Sequence, residues 1–324
     1  MRPKKKSPGA FRAALLIGWL VLGAAGVLYA RLRDIPVRVA VPVMAGFLME
    51  YPFYLLLGFA RLRGRFRGRA LVVFLVASAL LPYLICYLPL GQFQWSAAMR
   101  LAVLALVLGL WYLVLPVSPP ADGAFLILLG AVLIGRFFDS IYPPPLPGLQ
   151  ITYLGHLALI HMSVLVLLVE RRVHETGFGF VPNGREWRIG TLHYLGFLPV
   201  GALVALPLKA VHLAPAAPLW KIAGTFLAFL LVVALSEEFL FRGVLQQWME
   251  EWTWNRTLAL WFTSAIFGLV HLWYRSFPFP NWRWALIGAV LGWFCGHARN
   301  QAGSIRASVV THALAVTTWR AFFV

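Results

Sequence analysis

Three ionisable residues occupy the middle of a strongly apolar segment. The run TFLAFLLVVALSEEFLFRGVLQQW, positions 225–248, contains Glu237, Glu238 and Arg242. Placing such side chains in a bilayer costs roughly 2.5 to 3.5 kcal/mol each on insertion scales, so they are candidate functional residues by default. Glu238 and Arg242 are four residues apart and share one face of a helix, where they can form an ion pair. Glu237 is rotated by about 100° from Glu238 and can therefore act separately, as a general base.

Two histidines lie in later apolar segments. His271 ends the run FGLVH, one helical turn after Phe267, and His312 lies within THALAV. One glutamate and two histidines from three helices can activate a water molecule and stabilise the oxyanion of a cleaved peptide. Each histidine taken alone is more often a packed, hydrogen-bonded residue, and the neighbouring carboxylate and guanidinium can be a purely structural pair.

The composition places these residues in a membrane protein. Hydrophobic residues make up 61% of the 324 residues, charged residues only 12%, and the mean hydropathy is +0.79, outside the usual soluble range of about 45–50% apolar and about 25% charged. We therefore predict an all-α, polytopic transmembrane helical bundle of about 9–11 spans with the lipid bilayer as a partner. The net charge of +17 is distributed in short basic clusters between apolar segments, as in loops of membrane proteins, so nucleic acid is excluded as a partner.

A polar stretch at positions 170–188 divides the chain into two predicted regions. Residues 1–185 are expected to form an N-terminal multi-span membrane region, and residues 186–324 a second membrane domain that holds the candidate catalytic residues. The predicted spans 220–246 and 257–273 place Glu237 and His271 at different depths, a difficulty that a tilted helix or a wrong boundary would resolve. In the first region Glu50, His156 and His161 could form a second polar site, but interhelical hydrogen bonding is the simpler explanation.

Three motifs resemble those of one family. SEEFLFR at 236–242, FGLVH at 267–271 and GSIRASVVTHALAV at 303–316 resemble the successive motifs of the CPBP family, also called the Abi or CAAX-protease-like family, over roughly positions 195–323. The resemblance implies a glutamate-type intramembrane endopeptidase without a metal or another cofactor. It implies that Glu237 is the general base, that His271 helps to activate the water, and that His312 lines the oxyanion site. Glu238, Arg242 and Phe267 would support them.

The resemblance also implies a class of substrate. Relatives with extra spans suggest a membrane protein or a lipid-anchored peptide, cut at its C-terminal tail in protein sorting or in CAAX-like processing. The expected location is a bacterial inner membrane, which the chain would cross several times.

One position departs from the family pattern. The family has Asn or Asp four residues after the last histidine, where this chain has Val316, and losing one oxyanion donor typically costs about 100- to 1000-fold in rate. Asn300, Thr317 and Thr318 are the candidate replacements. Two alternatives stay open: a zinc metalloprotease, although the chain has no HExxH motif, and a scaffold or transporter of the same fold without catalytic activity.

Overall fold

The computed structural model describes residues 8–214, 216–273 and 280–323. Helices account for its regular structure, and no strand occurs among these residues apart from one isolated bridge between Leu213 and Phe323. The helices are numbered here in chain order. They are α1 Pro8–Leu32, α2 Val37–Leu56, α3 Ala60–Arg63, α4 Arg69–Tyr87, α5 Trp95–Val114, α6 Pro119–Ile134, α7 Tyr153–Glu170, α8 Gly184–Ala205, α9 Leu219–Thr253, α10 Arg256–Leu269, α11 Trp282–Ala302 and α12 Ile305–Phe322.

The predicted polytopic helical bundle is confirmed. Within the described ranges, seven helices (α1, α2, α4, α5, α7, α8 and α9) are long and apolar enough to cross a membrane. Helix α6 is apolar but has only 16 residues, and α10 has 14. Helices α11 and α12 have sufficient length, but arginine, histidine and threonine side chains lower their apolarity. The seven helices are fewer than the nine to eleven predicted spans because the later segments are shorter or more polar than typical spans.

The chain forms two compact units, Met1–Val173 and His174–Val324. In the first unit, α2 packs against α1, α4 and α7, and α4 packs against α5. The approach of α2 to α4 depends on Gly46, because a Cβ there would lie 3.2 Å from both the carbonyl of Pro82 and the Cβ of Cys86. Cys86 is a free, buried thiol, as is Cys295 in the second unit, which agrees with packing roles for both cysteines.

The second unit is organised around α11 and α12. Helix α11 packs against α8, α10 and α12, and α12 also packs against α8 and α9. Helix α8 begins with a capping box, in which the side chain of Asn183 accepts from Glu186 N and the Glu186 side chain accepts from Asn183 N. Gly190 allows α8 to approach α12, because a Cβ there would lie 2.5 Å from the carbonyl oxygen of Ala307. The Thr311 hydroxyl donates to Gly190 O at 2.9 Å across the same crossing.

Candidate active site

Helix α9 carries Glu237 and Glu238 between two π-helical segments. Residues Phe229–Val233 and Phe239–Leu245 are π-helical, and the α-helical segment Ala234–Glu238 lies between them. Interruptions of this kind are rare and occur frequently at functional sites, because they change the direction in which neighbouring side chains point. The backbone of α9 is therefore irregular on both sides of Glu237 and Glu238.

The length of α9 removes the predicted mismatch in depth between Glu237 and His271. The helix continues to Thr253, seven residues beyond the predicted boundary at 246, and α10 begins at Arg256 after a left-handed residue at Trp254. Glu237 therefore precedes the end of α9 by 16 residues, and His271 follows the start of α10 by 15. The two residues are separated from the connection between the helices by similar numbers of residues, so the predicted boundary at 246 accounts for the mismatch.

Glu238 and Arg242 form a fully buried pair. Glu238 Oε1 accepts from Arg242 Nη1 at 3.2 Å, and both side chains have no exposed area. The guanidinium carbon of Arg242 lies 4.2 Å from the centre of the Phe267 ring, a cation–π contact that is strong when desolvated. Glu238 Oε2 and the Nε and Nη2 atoms of Arg242 have no hydrogen-bond partner among the described residues. The guanidinium is therefore held by one ion pair and by two aromatic rings, Phe267 and the more distant Phe241 at 5.7 Å.

His312 lies between the two glutamates. Its Nδ1 donates to Glu238 Oε1 at 2.8 Å, and its Nε2 lies 3.8 Å from Glu237 Oε2. The second distance exceeds that of a direct hydrogen bond, but one oxygen atom can lie within hydrogen-bond distance of both atoms. The bond to Glu238 fixes the orientation of the imidazole and keeps a proton on Nδ1, so Nε2 is the nitrogen that faces reacting atoms.

The two carboxylates differ in their access to solvent. The Glu237 side chain is 37% exposed, whereas that of Glu238 has no exposed area. Only the Glu237 carboxylate can therefore meet a water molecule or a substrate directly. This difference gives the adjacent glutamates separate roles on physical grounds.

His271 reaches the same region through Phe267. It lies in a 3₁₀ turn, Val270–Trp273, that follows α10, and its Nδ1 donates to the Phe267 carbonyl at 2.7 Å. The Phe267 ring centre lies 5.0 Å from that of His271 and 5.6 Å from that of His312. The aromatic ring thus contacts both imidazoles, and the backbone bond leaves Nε2 of His271 available for chemistry.

Sequence reasoning did not identify a glycine face on α11. We use this name for Gly288, Gly292 and Gly296, which are spaced four residues apart on one side of the helix. A Cβ at Gly288 would lie 3.1 Å from His271 Nδ1, and one at Gly292 would lie 2.9 Å from Arg242 Nη2. The GxxxGxxxG spacing was the available signal, because small residues at this interval allow membrane helices to approach closely.

The third glycine of this face lies beside a polar network rather than a catalytic candidate. A Cβ at Gly296 would lie 2.2 Å from Leu260 Cδ1 and 3.0 Å from Gln246 Oε1. Gln246 Nε2 donates to Asn300 Oδ1 at 3.0 Å, and Arg299 donates to the same oxygen. Asn300 is therefore engaged in this network and not directed at the glutamates.

The other residues considered as replacements for Val316 have different surroundings. The Thr318 hydroxyl is bonded to the Tyr194 hydroxyl at 2.6 Å. Thr317 is buried, and its hydroxyl has no hydrogen-bond partner among the described residues. Of the three, only Thr317 has a hydroxyl without a protein partner.

Two of the three polar candidates of the first unit, Glu50 and His161, form a hydrogen-bonded chain with Ser78. His161 Nδ1 is 2.5 Å from Glu50 Oε1, and His161 Nε2 is 2.8 Å from the Ser78 hydroxyl. All three side chains are buried and join α2, α4 and α7. His156 instead packs against the rings of Phe138 and Tyr153. The arrangement is that of interhelical hydrogen bonds, which was the simpler of the two interpretations.

Among the described residues, no group of three or more His, Cys, Asp or Glu side chains is arranged to hold a metal ion. Cys295 in α11 is the nearest thiol in sequence to the motifs, and its Sγ contacts the Ser308 carbonyl oxygen at 3.8 Å. The thiol of Cys295 also interacts with Glu238, so it adjoins the carboxylate, guanidinium, imidazole and aromatic groups of the site.

Comparison with known proteins supports the family that the motifs indicate. Residues 219–318 match the model of a family described as type II CAAX prenyl endopeptidase Rce1-like. No curated protein and no solved structure matches the chain. The matched segment contains all three motifs, from SEEFLFR to THALAV. The predicted family is therefore confirmed as a match to the type II CAAX prenyl endopeptidase Rce1-like model over residues 219–318, the segment of this multi-pass membrane protein that holds the candidate site.

Proposed function

We propose that this protein is a glutamate-type intramembrane endopeptidase that cuts a lipid-anchored or membrane-embedded protein near its C-terminus. The observation that carries the proposal is the position of His312, whose two ring nitrogens face Glu238 at 2.8 Å and Glu237 at 3.8 Å. The family match supports the class of reaction, and the arrangement supplies a base, a fixed imidazole and a buried counter-charge.

In the proposed reaction, Glu237 acts as the general base. Its carboxylate accepts a proton from a water molecule while the water oxygen attacks the carbonyl carbon of the scissile peptide bond. The pair of electrons of the C=O π bond moves to oxygen, and Nε2 of His312 or His271, carrying a proton, stabilises the resulting oxyanion. The proton on Glu237 then passes to the amide nitrogen, and the C–N bond breaks to release an amine and a carboxylic acid.

Glu238 and Arg242 have supporting roles in this proposal. Glu238 holds the Nδ1 proton of His312 and stabilises positive charge on the ring when Nε2 is also protonated. Arg242 prevents the buried Glu238 carboxylate from being an isolated charge, which would be costly in the interior. Phe267 supports both the guanidinium and the two imidazoles.

The proposal is tested with purified protein and a farnesylated peptide that ends in a CAAX sequence. The wild-type protein is expected to cleave the peptide, and Glu237→Gln is expected to lose at least about 100-fold in kcat, because a positioned general base contributes roughly 10²- to 10⁴-fold. Gln247→Ala is a matched control for cleavage, because that side chain lies in the last turns of the same helix and bonds to Glu251 rather than to Glu237 or Glu238. Full activity of Glu237→Gln would refute the proposed base.

Two further outcomes separate the alternative functions. Cleavage that stops after treatment with 1,10-phenanthroline and returns on addition of zinc would identify a metalloprotease instead. A wild-type protein that leaves both the farnesylated peptide and the cellular membrane proteins uncut would indicate a scaffold or transporter. Comparing membrane proteins from cells with and without the protein reveals a natural substrate as a protein that keeps its C-terminal tail.

A further inference from the structure

The connection between α2 and α4, which includes the short helix α3, is strongly basic. Its segment RLRGRFRGR, positions 61–69, has an arginine at every second position and contains neither lysine nor a carboxylate. The fifth of these arginines apart from an exposed group, Arg63, is half-buried and donates to the carbonyl of Leu57. The other four are exposed, and we call them the arginine cluster: Arg61, Arg65, Arg67 and Arg69.

Two contacts fix the position of this segment within the first unit. The centre of the Phe59 ring lies 5.1 Å from that of the Phe11 ring of α1, and Gly68 N donates to Glu170 Oε1 at 2.6 Å. The segment is therefore attached on one side to the beginning of α1 and on the other to the last residue of α7. A segment held in this way loses little freedom when it binds a ligand, which favours affinity.

The arginine cluster lies where several apolar helices end. Helices α1, α2, α4 and α7 are each long and apolar enough to cross a membrane. Helix α2 ends at Leu56 and α4 begins at Arg69, and the two contacts bring the beginning of α1 and the end of α7 to the same place. The ends of such helices coincide with the boundary between hydrocarbon and headgroups, where long basic side chains extend toward the polar region. The anion that meets the cluster at this depth is a lipid headgroup rather than a solute in bulk water.

The arginine cluster has no counter-charge from the protein itself. None of its four guanidinium groups forms a hydrogen bond or an ion pair within the described part of the chain. The carboxylates at this end of the unit have other partners, because Asp122 pairs with Arg171 at 2.7 Å and Glu170 accepts the backbone bond from the basic segment. Arg12 and Arg172 are exposed at the same end and add positive charge. The surface therefore attracts an anion from outside the protein.

The use of arginine alone indicates which kind of anion the cluster binds. A guanidinium group donates two parallel N–H bonds to a phosphate, whereas the lysine ammonium acts as a single point charge. Basic loop residues of either type set the orientation of a membrane protein, so orientation gives no reason for arginine at every second position. A phosphate in a headgroup does give one, because neighbouring guanidinium groups each contribute a pair of bonds to it.

We propose that the arginine cluster binds the phosphate headgroup of an anionic phospholipid. Arg69 and Val73 lie about one turn apart on the same face of α4, and Val73 is 69% exposed, so an acyl chain continues along that face from a phosphate at Arg69. The inference does not depend on the proposed function, because all of these residues belong to the first unit, outside the segment 219–318 that matches the protease family.

The test measures lipid binding to the full-length protein, purified in a neutral detergent, by native mass spectrometry. The probes are phosphatidylglycerol and phosphatidylcholine with identical acyl chains, and inorganic phosphate. The wild-type protein is expected to bind phosphatidylglycerol with a Kd at least about 10-fold lower than that for phosphatidylcholine, because each basic residue near an anionic headgroup adds attraction. The preference should weaken when NaCl is raised from about 0.1 M to about 1 M, since the screening length falls from about 10 Å to about 3 Å.

The main variant keeps every charge of the cluster and removes the forked donors. It combines Arg61→Lys, Arg65→Lys, Arg67→Lys and Arg69→Lys. Its Kd for phosphatidylglycerol is expected to rise about 10-fold, while its binding of phosphatidylcholine stays unchanged. The four single variants are measured as well, and each is expected to lose part of the affinity, so the result does not depend on how the combined variant folds.

A matched control changes arginines at the opposite ends of two of the same helices. Arg31, Arg33 and Arg38 are exposed where α1 ends and α2 begins, so replacing all three by lysine removes guanidinium groups without touching the cluster. This control is expected to keep the wild-type Kd for phosphatidylglycerol. Without added lipid, both combined variants should keep the Tm of the wild type, since exposed side chains contribute little to stability.

Four results would overturn the proposal. Equal affinity of the wild-type protein for phosphatidylglycerol and phosphatidylcholine would show that the cluster does not select an anionic headgroup. An unchanged Kd in the Arg→Lys variants of the cluster would show that charge alone acts there, without a phosphate site. Displacement of phosphatidylglycerol by millimolar inorganic phosphate would identify a soluble anion as the ligand. An equal loss of affinity in the control at the opposite ends of the helices would show that binding is not located at the cluster.

Discussion

The same substitution at the two adjacent glutamates of α9 should change different properties of the protein. Glu238 is fully buried and bonded to Arg242 and His312. The Glu237 side chain is 37% exposed, and within the described part of the chain its closest ionic contact is the one with His312 at 3.8 Å. Replacing either carboxylate by an amide keeps its shape and removes its charge. We therefore expect Glu238→Gln to affect mainly stability and Glu237→Gln to affect mainly catalysis.

The expected magnitudes follow from burial. Removing one partner of a buried ion pair typically destabilises a protein by about 3 to 5 kcal/mol, which for a unit of this size lowers the Tm by roughly 6 to 20 °C. A substitution at a partly exposed side chain without such a partner usually changes stability by less than about 0.5 kcal/mol, or roughly 2 °C. Glu237→Gln should consequently keep its Tm and lose about 10²- to 10⁴-fold in kcat.

The assay is thermal unfolding of the two purified variants in the same detergent, followed by cleavage of the farnesylated peptide well below both Tm values. Gln247→Ala serves as the control for substitutions in α9. A Glu238→Gln variant that melts within about 2 °C of the wild type would refute this expectation, because the buried ion pair would then contribute little to the free energy of unfolding. The expectation would also be refuted if Glu237→Gln were the less stable of the two.

Four other substitutions test separate parts of the structure. His312→Asn keeps a donor for the buried glutamate and removes Nε2, so a loss of about 100- to 1000-fold in kcat with little change in Tm is expected from peptide cleavage assays. Gly292→Ala places a methyl group 2.9 Å from Arg242 Nη2 and is expected to lower both Tm and kcat. In contrast, Gly224→Ala meets no atom within 4 Å and should stabilise α9 by about 0.5 to 1 kcal/mol in the same thermal assay. Glu50→Ala leaves the buried His161 without its carboxylate and should lower the Tm by an amount similar to Glu238→Gln, while an equal or higher Tm would contradict its structural role.

The helical bundle and the pairing of Glu238 with Arg242 can both be predicted from local sequence. The apolar composition predicts the helical bundle, and the four-residue spacing of Glu238 and Arg242 predicts that the two side chains can meet, as they do at 3.2 Å. Both inferences depend only on the period of a helix and on the cost of burying charge. The family motifs added the order of the three segments, which local reasoning does not provide.

Other features depend on contacts between distant segments and were not predicted. The contact of His312 with Glu238 joins residues 74 positions apart, and a single sequence contains no measure of that distance. The end of α9 at Thr253 was missed because QQWMEEWT is too polar to be recognised as part of an apolar span, although it continues the same helix. The π-helical segments FLLVV and FLFRGVL were not predicted, because the same residue types also occur in regular membrane helices.

The glycine face of α11 has a consequence for engineering this protein. Glycine in a helix is less favourable than alanine by roughly 1 kcal/mol, so a design procedure that optimises helix propensity would replace Gly288, Gly292 and Gly296 first. These replacements would displace the imidazole of His271, the guanidinium of Arg242 and the Gln246 side chain. Stabilising substitutions are better placed at Gly123 and Gly130 of α6, where an added methyl group meets nothing within 4 Å. In α11 the residues that would give the most stable isolated helix therefore differ from those that leave room for the side chains of the candidate site.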